Sequence, residues 1–221
     1  MAGYRDGYGN WCSRLLAPSG AVRLTTNVII NDDGQPAPIA PCTGQVSVEQ
    51  LPDEAIVFLL ASRFCESDKL LDLAWELFGT VQPGCRRVQA ICDLVHSRIE
   101  FDYGQARPTR TAAEAYVEIV GVCRDYAHLG VAFCRALNIP ARYCTGYLSD
   151  SGKPEPFLPG DFAAWFEAYL DGGWQTFDPR NNEPRIGSFL VARGHDAADV
   201  AMVTTFVPNK LENFRVWTDA A

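Results

Sequence analysis

The sequence has 221 residues, of which 48% are hydrophobic and 21% charged, and its formal net charge is −8. This composition is that of a globular protein with one large domain, or with a domain and a small appendage. An acidic chain without a run of Lys and Arg lacks the basic surface that binds nucleic acids or anionic membranes. The N-terminus has no signal-peptide core, and the apolar runs are too short to cross a membrane, so we expect a cytoplasmic protein.

The cysteines and histidines limit which disulfide bonds and metal sites the sequence predicts. The chain holds eight cysteines at scattered spacings and three histidines. Without an export signal we expect reduced thiols, which makes a disulfide-built structural module the weakest of the functional classes. No Cys-x-x-Cys pair or closely spaced pair of histidines is present, so a zinc site is not expected.

The N-terminal part, residues 1–48, predicts strands and turns. Alternating and β-branched residues at 21–30 predict a strand. The Asn-Asp-Asp-Gly run at 31–34 is typical of a turn, and the Pro-rich stretch at 36–41 predicts a loop.

Residues 51–100 predict helices. Pro52 is typical of a first helical turn. Apolar residues repeat at helical spacing over 70–78, where Gly79 follows as a stop signal, and again over 88–99.

The second half predicts helices at 111–119 and 123–137 and then changes to the two-residue period of strands. These strands are predicted at 142–148, 164–170, 174–178, 200–207 and 214–218. The Asp-Gly-Gly run at 171–173 is typical of a hairpin turn. Helices followed by an antiparallel meander predict an α+β fold in which helices pack on one antiparallel sheet.

One segment, Gly121 to His128, carries a candidate nucleophile and reads Gly-Val-Cys-Arg-Asp-Tyr-Ala-His. Gly121 permits a sharp turn before the helix that begins near Cys123. A cysteine at a helix N-terminus faces unpaired N–H groups and the positive end of the helix dipole, which favour the nucleophilic thiolate. The backbone N–H of Cys123 is then placed to bind an oxyanion. Taken alone, Cys123 is equally compatible with a buried structural cysteine.

Two later segments complete the pattern. They are Ala163-Ala164-Trp165 and Phe177-Asp178-Pro179, on the two strands that the hairpin turn joins. The hairpin places positions 163 and 178 side by side, with Trp165 on the same strand face as position 163. An aspartate before proline is also common in ordinary turns.

In this order the three segments resemble the transglutaminase-like superfamily, papain-related enzymes with a Cys-His-Asp triad, over about residues 50–218. The resemblance implies a papain-like α+β core with Cys123 as nucleophile and Asp178 as the carboxylate that orients the base. It implies hydrolysis of peptides or amides, amide transfer to amines, or, in some biosynthetic members, amide formation from carrier-protein thioesters. All proceed through a thioester on cysteine. No metal or organic cofactor is implied.

The sequence departs from the family at the base, because Ala163 stands where the family has histidine. A methyl group cannot transfer protons, and loss of a triad member typically costs several orders of magnitude in rate. Three interpretations stay open: an engineered inactivating change, a natural departure with different chemistry, or another group acting as base. His195 lies in a predicted loop that could fold over the site. His128 diverges from Cys123 by about 140° around the helix and is expected in the core.

The remaining candidates for contacting the substrate or its oxyanion are Arg124, Trp165 and His195. We assign the catalytic core to residues 49–221. Residues 1–48 resemble the last part of the small β domain that precedes the core in longer bacterial members. We predict a cysteine-dependent acyl transferase or hydrolase that has lost its base. The alternative is a pseudoenzyme that binds a peptide or a carrier-protein-linked acyl group in the same cleft.

Overall fold

Residues 1–31, 44–148, 161–183 and 187–217 are described by the structure, which is a computed structural model. Within these ranges the strands are β1 (Ala2–Arg5), β2 (Trp11–Arg14), β3 (Glu100–Phe101), β4 (Val120–Gly121), β5 (Ala141–Leu148), β6 (Asp161–Leu170), β7 (Gly173–Phe177) and β8 (Ser188–Gly194). The α-helices are α1 (Asp53–Ile56), α2 (Leu71–Phe78), α3 (Cys85–Arg98), α4 (Ala112–Glu118) and α5 (Cys123–Ala136).

A four-stranded antiparallel sheet in the order β7-β6-β5-β8 forms one layer of the molecule. Helix α5 packs on β5 and β6, and α2, α3 and α4 pack against α5. The strands β1 and β2 form a separate antiparallel pair, and β3 and β4 a short parallel pair. The predicted α+β fold, with helices on an antiparallel sheet and a short N-terminal β segment, is therefore confirmed.

Helix α5 is the centre of the core. Every residue of this helix except Arg124 is buried, as expected for a helix covered on all sides. A Cβ atom added to Gly130 would lie 2.6 Å from the ring of Phe166, so the glycine allows α5 to approach β6 closely. None of the helices in the four described ranges is long and apolar enough to cross a membrane.

The N-terminal segment differs from its prediction. Residues 21–30 alternate as a strand would, but they are exposed and form no strand, whereas β1 and β2 were not predicted. Alternation favours a strand only where a neighbouring strand accepts its hydrogen bonds. The β1–β2 hairpin is tied to β8 instead, because the side chain of Asn10 exchanges two hydrogen bonds with the backbone of Arg193, at 2.7 and 2.8 Å.

The C-terminal segment needs a second correction. The strands predicted at 200–207 and 214–218 are wrong, since the described residues of both stretches form no strand and are mostly exposed. The strand that completes the sheet is β8, which sequence patterning missed because its apolar residues do not alternate regularly. The predicted loop at 36–41, nearly all of the turn at 31–34, and residue 218 lie outside the described ranges.

The thiols are not all reduced. Cys85, the first residue of α3, is disulfide-bonded, so the expectation of reduced cysteines is wrong at this residue. The free cysteines among the described residues are Cys12, Cys65, Cys92, Cys123, Cys134 and Cys144. Sequence spacing could not show the bond, because a disulfide depends on the close approach of two Cβ atoms in the folded chain. The cytoplasmic location stays a prediction.

Candidate active site

A cleft of about 230 Å³ lies where the start of α5 meets β5 and β6. The described residues that line it are Cys123, Arg124, Tyr143, Thr145, Phe162, Ala163, Ala164, Ala197, Val200, Ala201 and Met202. Most of the lining is small and apolar, and its polar side chains come from α5 and β5. The volume is below the roughly 300–1,000 Å³ of pockets that enclose a whole drug-sized ligand.

Cys123 begins α5, as the sequence predicts. The preceding residue, Val122, is extended with φ −118° and ψ 175°, and the helix starts directly after it. The Cys123 side chain is 9% exposed and packs with Ala127, Tyr143, Ala164 and Val200. The N-terminus is the positive end of a helix dipole, so this end of α5 stabilises negative charge at the cleft.

A buried carboxylate fixes the start of this helix. Asp125 is 1% exposed and accepts hydrogen bonds from the N–H of Val122 at 2.9 Å and from Arg110 and Arg124, both at 3.1 Å. A Cβ atom added to Gly121 would lie 2.9 Å from Oδ2 of Asp125. Gly121 is therefore required by the close approach of Asp125, a role that the sequence did not show.

The base position borders the cleft, but its methyl group lies on the other face of the sheet. Ala163 packs with Cys144, Leu148 and Trp165, whereas Ala164 packs with Cys123. Successive residues of a strand point to opposite faces, which explains the difference. The Trp165 ring accordingly lies with Ala163 rather than in the cluster of Cys123.

Asp178 directly follows β7, at the end of the strand that pairs with β6. Its carboxylate accepts hydrogen bonds from the N–H groups of Arg180 and Asn181, at 3.0 and 3.1 Å, and from the Asn181 side chain at 2.5 Å. Continuing the β6–β7 register by one pair sets position 178 beside Trp165, on the strand face that Ala163 uses. The role of Asp178 as an orienting carboxylate stays a prediction.

His195 lies in a different cluster from the cleft-lining residues. The ring Nδ1 of His195 shares a hydrogen bond with the Tyr8 hydroxyl at 2.9 Å. The backbone N–H of His195 donates to the Asp199 carboxylate at 2.8 Å. The imidazole ring packs against Phe58, with 5.3 Å between the ring centroids. In this arrangement His195 is held to the N-terminal hairpin and α1 region, not over Cys123.

His128 is buried in the core, as expected. Its Nε2 accepts a hydrogen bond from the N–H of Ala197 at 3.1 Å, and its ring stacks on Phe64. Burial lowers the pKa of the His128 imidazole, and the nearby Asp196 carboxylate only partly opposes this. The ring is therefore neutral near pH 7 and supports the backbone beneath the cleft.

Tyr143 lines the cleft, whereas the sequence pattern placed position 143 only within the strand predicted at 142–148. Its ring is 4% exposed and packs in the same cluster as Cys123. Burial, with Cys123 as the next cause, raises the pKa of the Tyr143 hydroxyl well above its usual range. The available signal was strand alternation, which places positions 143 and 145 on the face toward α5.

Arg124 brings the one cationic side chain among the described lining residues. Its Nη2 donates to the backbone oxygen of Arg107 and to Asp125. The guanidinium group is thus anchored beside Cys123 rather than free to move across the cleft.

These features define a class of α+β domains in which a cysteine at the start of a core helix faces an antiparallel sheet. Residues 72–179 match the family model of the transglutaminase-like superfamily. The resemblance to the transglutaminase-like superfamily seen in the motifs is therefore confirmed over residues 72–179.

Sequence relatives come from mycobacteria. An uncharacterized protein of Mycobacterium leprae is 31% identical over 122 residues, which are 52% of this chain and 42% of that protein. Uncharacterized proteins of Mycobacterium bovis and Mycobacterium tuberculosis are 27% identical over an alignment of 236 residues, gaps included. The alignment covers 95% of this chain and 73% of each of those proteins.

Among solved structures, a proposed cysteine protease from Cytophaga hutchinsonii is 38% identical and superposes with a TM-score of 0.67. The match covers 80% of this chain and 63% of that one. The chain therefore spans less than two thirds of this structure and of the Mycobacterium leprae protein.

Proposed function

We propose that this chain is a cysteine-dependent acyl transferase or hydrolase that carries the acyl group as a thioester on Cys123. The observation that supports the proposal most is the position of Cys123, at the first turn of a buried helix and in the wall of a cleft. The transglutaminase-like core and the likeness to a proposed cysteine protease support the same reaction class.

Ala163 narrows the kind of acyl donor. When an amide is cleaved, the departing amine must take up a proton, which a methyl group cannot supply. When a thioester is cleaved, the departing thiolate is stable near neutral pH, since an ordinary thiol has a pKa of about 8.5. The donor class that this site fits is therefore an acyl thioester, on a small thiol or on a carrier protein.

The reaction then runs in two balanced steps. The Cys123 thiol loses its proton to solvent, and the thiolate attacks the acyl carbon of the donor. The bond from that carbon to the donor sulfur breaks, and the donor leaves as a thiolate. In the second step water or an amine attacks the Cys123 thioester, loses a proton to solvent, and releases Cys123. The N–H groups at the start of α5 stabilise the oxyanion in both steps.

The second candidate is a non-catalytic domain that binds a peptide or a carrier-protein-linked acyl group in the same cleft. Ala163 favours this candidate, because binding needs no proton transfer. Retention of Cys123 at the helix start favours chemistry, and we place the acyl-transfer proposal first.

The test uses S-hexanoyl-N-acetylcysteamine and follows release of N-acetylcysteamine by chromatography. We expect release by the unchanged chain and none above buffer by Cys123→Ala. Cys144→Ala is the matched control, because Cys144 is buried in the other cluster, with Ala163 and Trp165, and its loss should leave the rate unchanged. Equal release by the native chain and Cys123→Ala would overturn the proposal in favour of the binding candidate.

A further inference from the structure

The oxygen of an acyl group on Cys123 needs hydrogen-bond donors, and three polar side chains besides Cys123 line the described part of the cleft. The Thr145 hydroxyl donates to the backbone oxygen of Ala163 at 3.0 Å, so its proton is engaged. Arg124 is anchored to Arg107 and Asp125, as described above. Within the described ranges the Tyr143 hydroxyl makes no hydrogen bond, which leaves its proton for a ligand in the cleft.

The surroundings of Tyr143 hold its ring in place. Tyr143 lies on β5, where it pairs with Phe166 on one side and Gly194 on the other. Its ring packs beside Cys123 and against His128, with 4.9 Å between the two ring centroids. A donor fixed in this way needs little reorganisation when charge develops in front of it.

The protonation state of Tyr143 suits a donor and not a base. Burial and the neighbouring Cys123 raise the pKa of its hydroxyl well above the ordinary value of about 10. The phenol therefore keeps its proton throughout the physiological range, and it does not replace the missing histidine as proton acceptor.

We infer that the Tyr143 hydroxyl is a catalytic residue that donates a hydrogen bond to the oxygen of the acyl group attached to Cys123. This inference rests on the proposed function. Negative charge collects on that oxygen in the tetrahedral intermediate, so a donor that is already fixed in place stabilises the transition state more than the ground state.

Two reactions of Cys123 distinguish a donor to the oxyanion from a residue that acts on the Cys123 thiol itself. Acylation by p-nitrophenyl acetate passes through an oxyanion, whereas alkylation by iodoacetamide displaces iodide from a saturated carbon and forms none. Tyr143→Phe should slow the acylation on the order of 10²-fold, as loss of one oxyanion donor does elsewhere. Alkylation of Cys123, measured by peptide mass spectrometry, should stay unchanged.

Tyr147→Phe is the matched control, because Tyr147 lies on the same strand and face and packs against Phe162. It should leave both rates unchanged. Tyr143→Phe removes an oxygen that has no hydrogen-bond partner among the described residues, so the variant should fold, and thermal unfolding verifies this.

Three outcomes would overturn the inference. Equal acylation of Tyr143→Phe and the native chain would show that the hydroxyl does not act on the oxyanion. Equal slowing of acylation and alkylation would show that Tyr143 acts on Cys123 itself. A native chain that is alkylated at Cys123 but never acylated would instead remove the proposed function, and the inference with it.

Discussion

Ala163 and Ala164 present their methyl groups to opposite faces of β6. Ala164 packs in the cluster of Cys123, whereas Ala163 packs with Trp165. The face of Ala163 is also the one on which Asp178 follows the neighbouring strand, if the register continues. Two adjacent alanines therefore offer an introduced imidazole two different surroundings at one cleft.

Ala163→His should create cleavage of amide substrates and raise thioester turnover, on the order of 10²-fold, if the imidazole, longer than the methyl group, reaches Cys123 at the cleft that both positions line and Asp178 orients it. Ala164→His is the control, since its ring would enter the apolar cluster of Cys123 without a carboxylate beside it. The measurement is kcat/KM on a peptide amide and on an acyl thioester. If kcat/KM rises in Ala164→His but not in a folded Ala163→His, this placement of the triad is contradicted.

Asp125→Asn should lower the free energy of unfolding by about 3 kcal/mol, because it removes the more deeply buried of the two carboxylates that pair with the buried Arg110 guanidinium. Urea unfolding followed by circular dichroism gives the value. Glu118→Gln is the control, since Glu118 pairs with the same Arg110 from the more exposed end of the network and should cost less. A loss at Asp125 no greater than that at Glu118 would contradict its role at the helix start.

Acid should destabilise the fold through His128. Burial lowers the pKa of this imidazole in the folded chain, whereas the unfolded chain has the ordinary value of about 6.5. As the pH falls below about 6.5, only the unfolded chain takes up the proton. The neutral His128 ring therefore contributes fully to stability above about pH 6.5. As the pH falls further, this contribution is lost by up to about 1.4 kcal/mol per pH unit until the pKa of the folded chain is reached.

The measurement is the free energy of unfolding in urea between pH 7.5 and about 4.5, for the native chain and His128→Gln. Glutamine keeps an acceptor for the N–H of Ala197 but does not titrate. The pH slope should be smaller in His128→Gln, and parallel curves would contradict the assignment. Protonation of Asp196 affects the free energy of unfolding only at lower pH. Burial raises the pKa of its carboxyl group, but hydrogen bonds from Ser62 and the Phe64 backbone outweigh burial and lower it below the ordinary value.

Local signals predicted the elements that carry the cleft. The helical period and the preceding glycine gave the start of α5 at Cys123, and the Asp-Gly-Gly run gave the hairpin between β6 and β7. The strand predicted at residues 21–30 is absent because alternation describes only where side chains point. It does not provide a neighbouring strand for backbone hydrogen bonds. The disulfide at Cys85 depends on tertiary approach, which spacing along the chain does not contain.

The candidate site was predictable in part. Motif spacing placed Cys123 and position 163 at one cleft, and the structure has both in its lining. The pairing of Ala164 with Cys123, and the buried roles of Asp125 and Tyr143, were not predictable. Strand and helix periods assign a residue to a face, but only the packing of α5 on β5 and β6 decides what that face meets.

The acyl-enzyme itself is the most direct test of the central claim. The chain would be exposed briefly to S-hexanoyl-N-acetylcysteamine, quenched in acid, weighed intact by mass spectrometry and then mapped by peptides. The account predicts one hexanoyl group, on the peptide that holds Cys123 and removable by hydroxylamine. An unmodified chain, or hexanoyl groups spread equally over Cys123 and the more accessible Cys12, would contradict it.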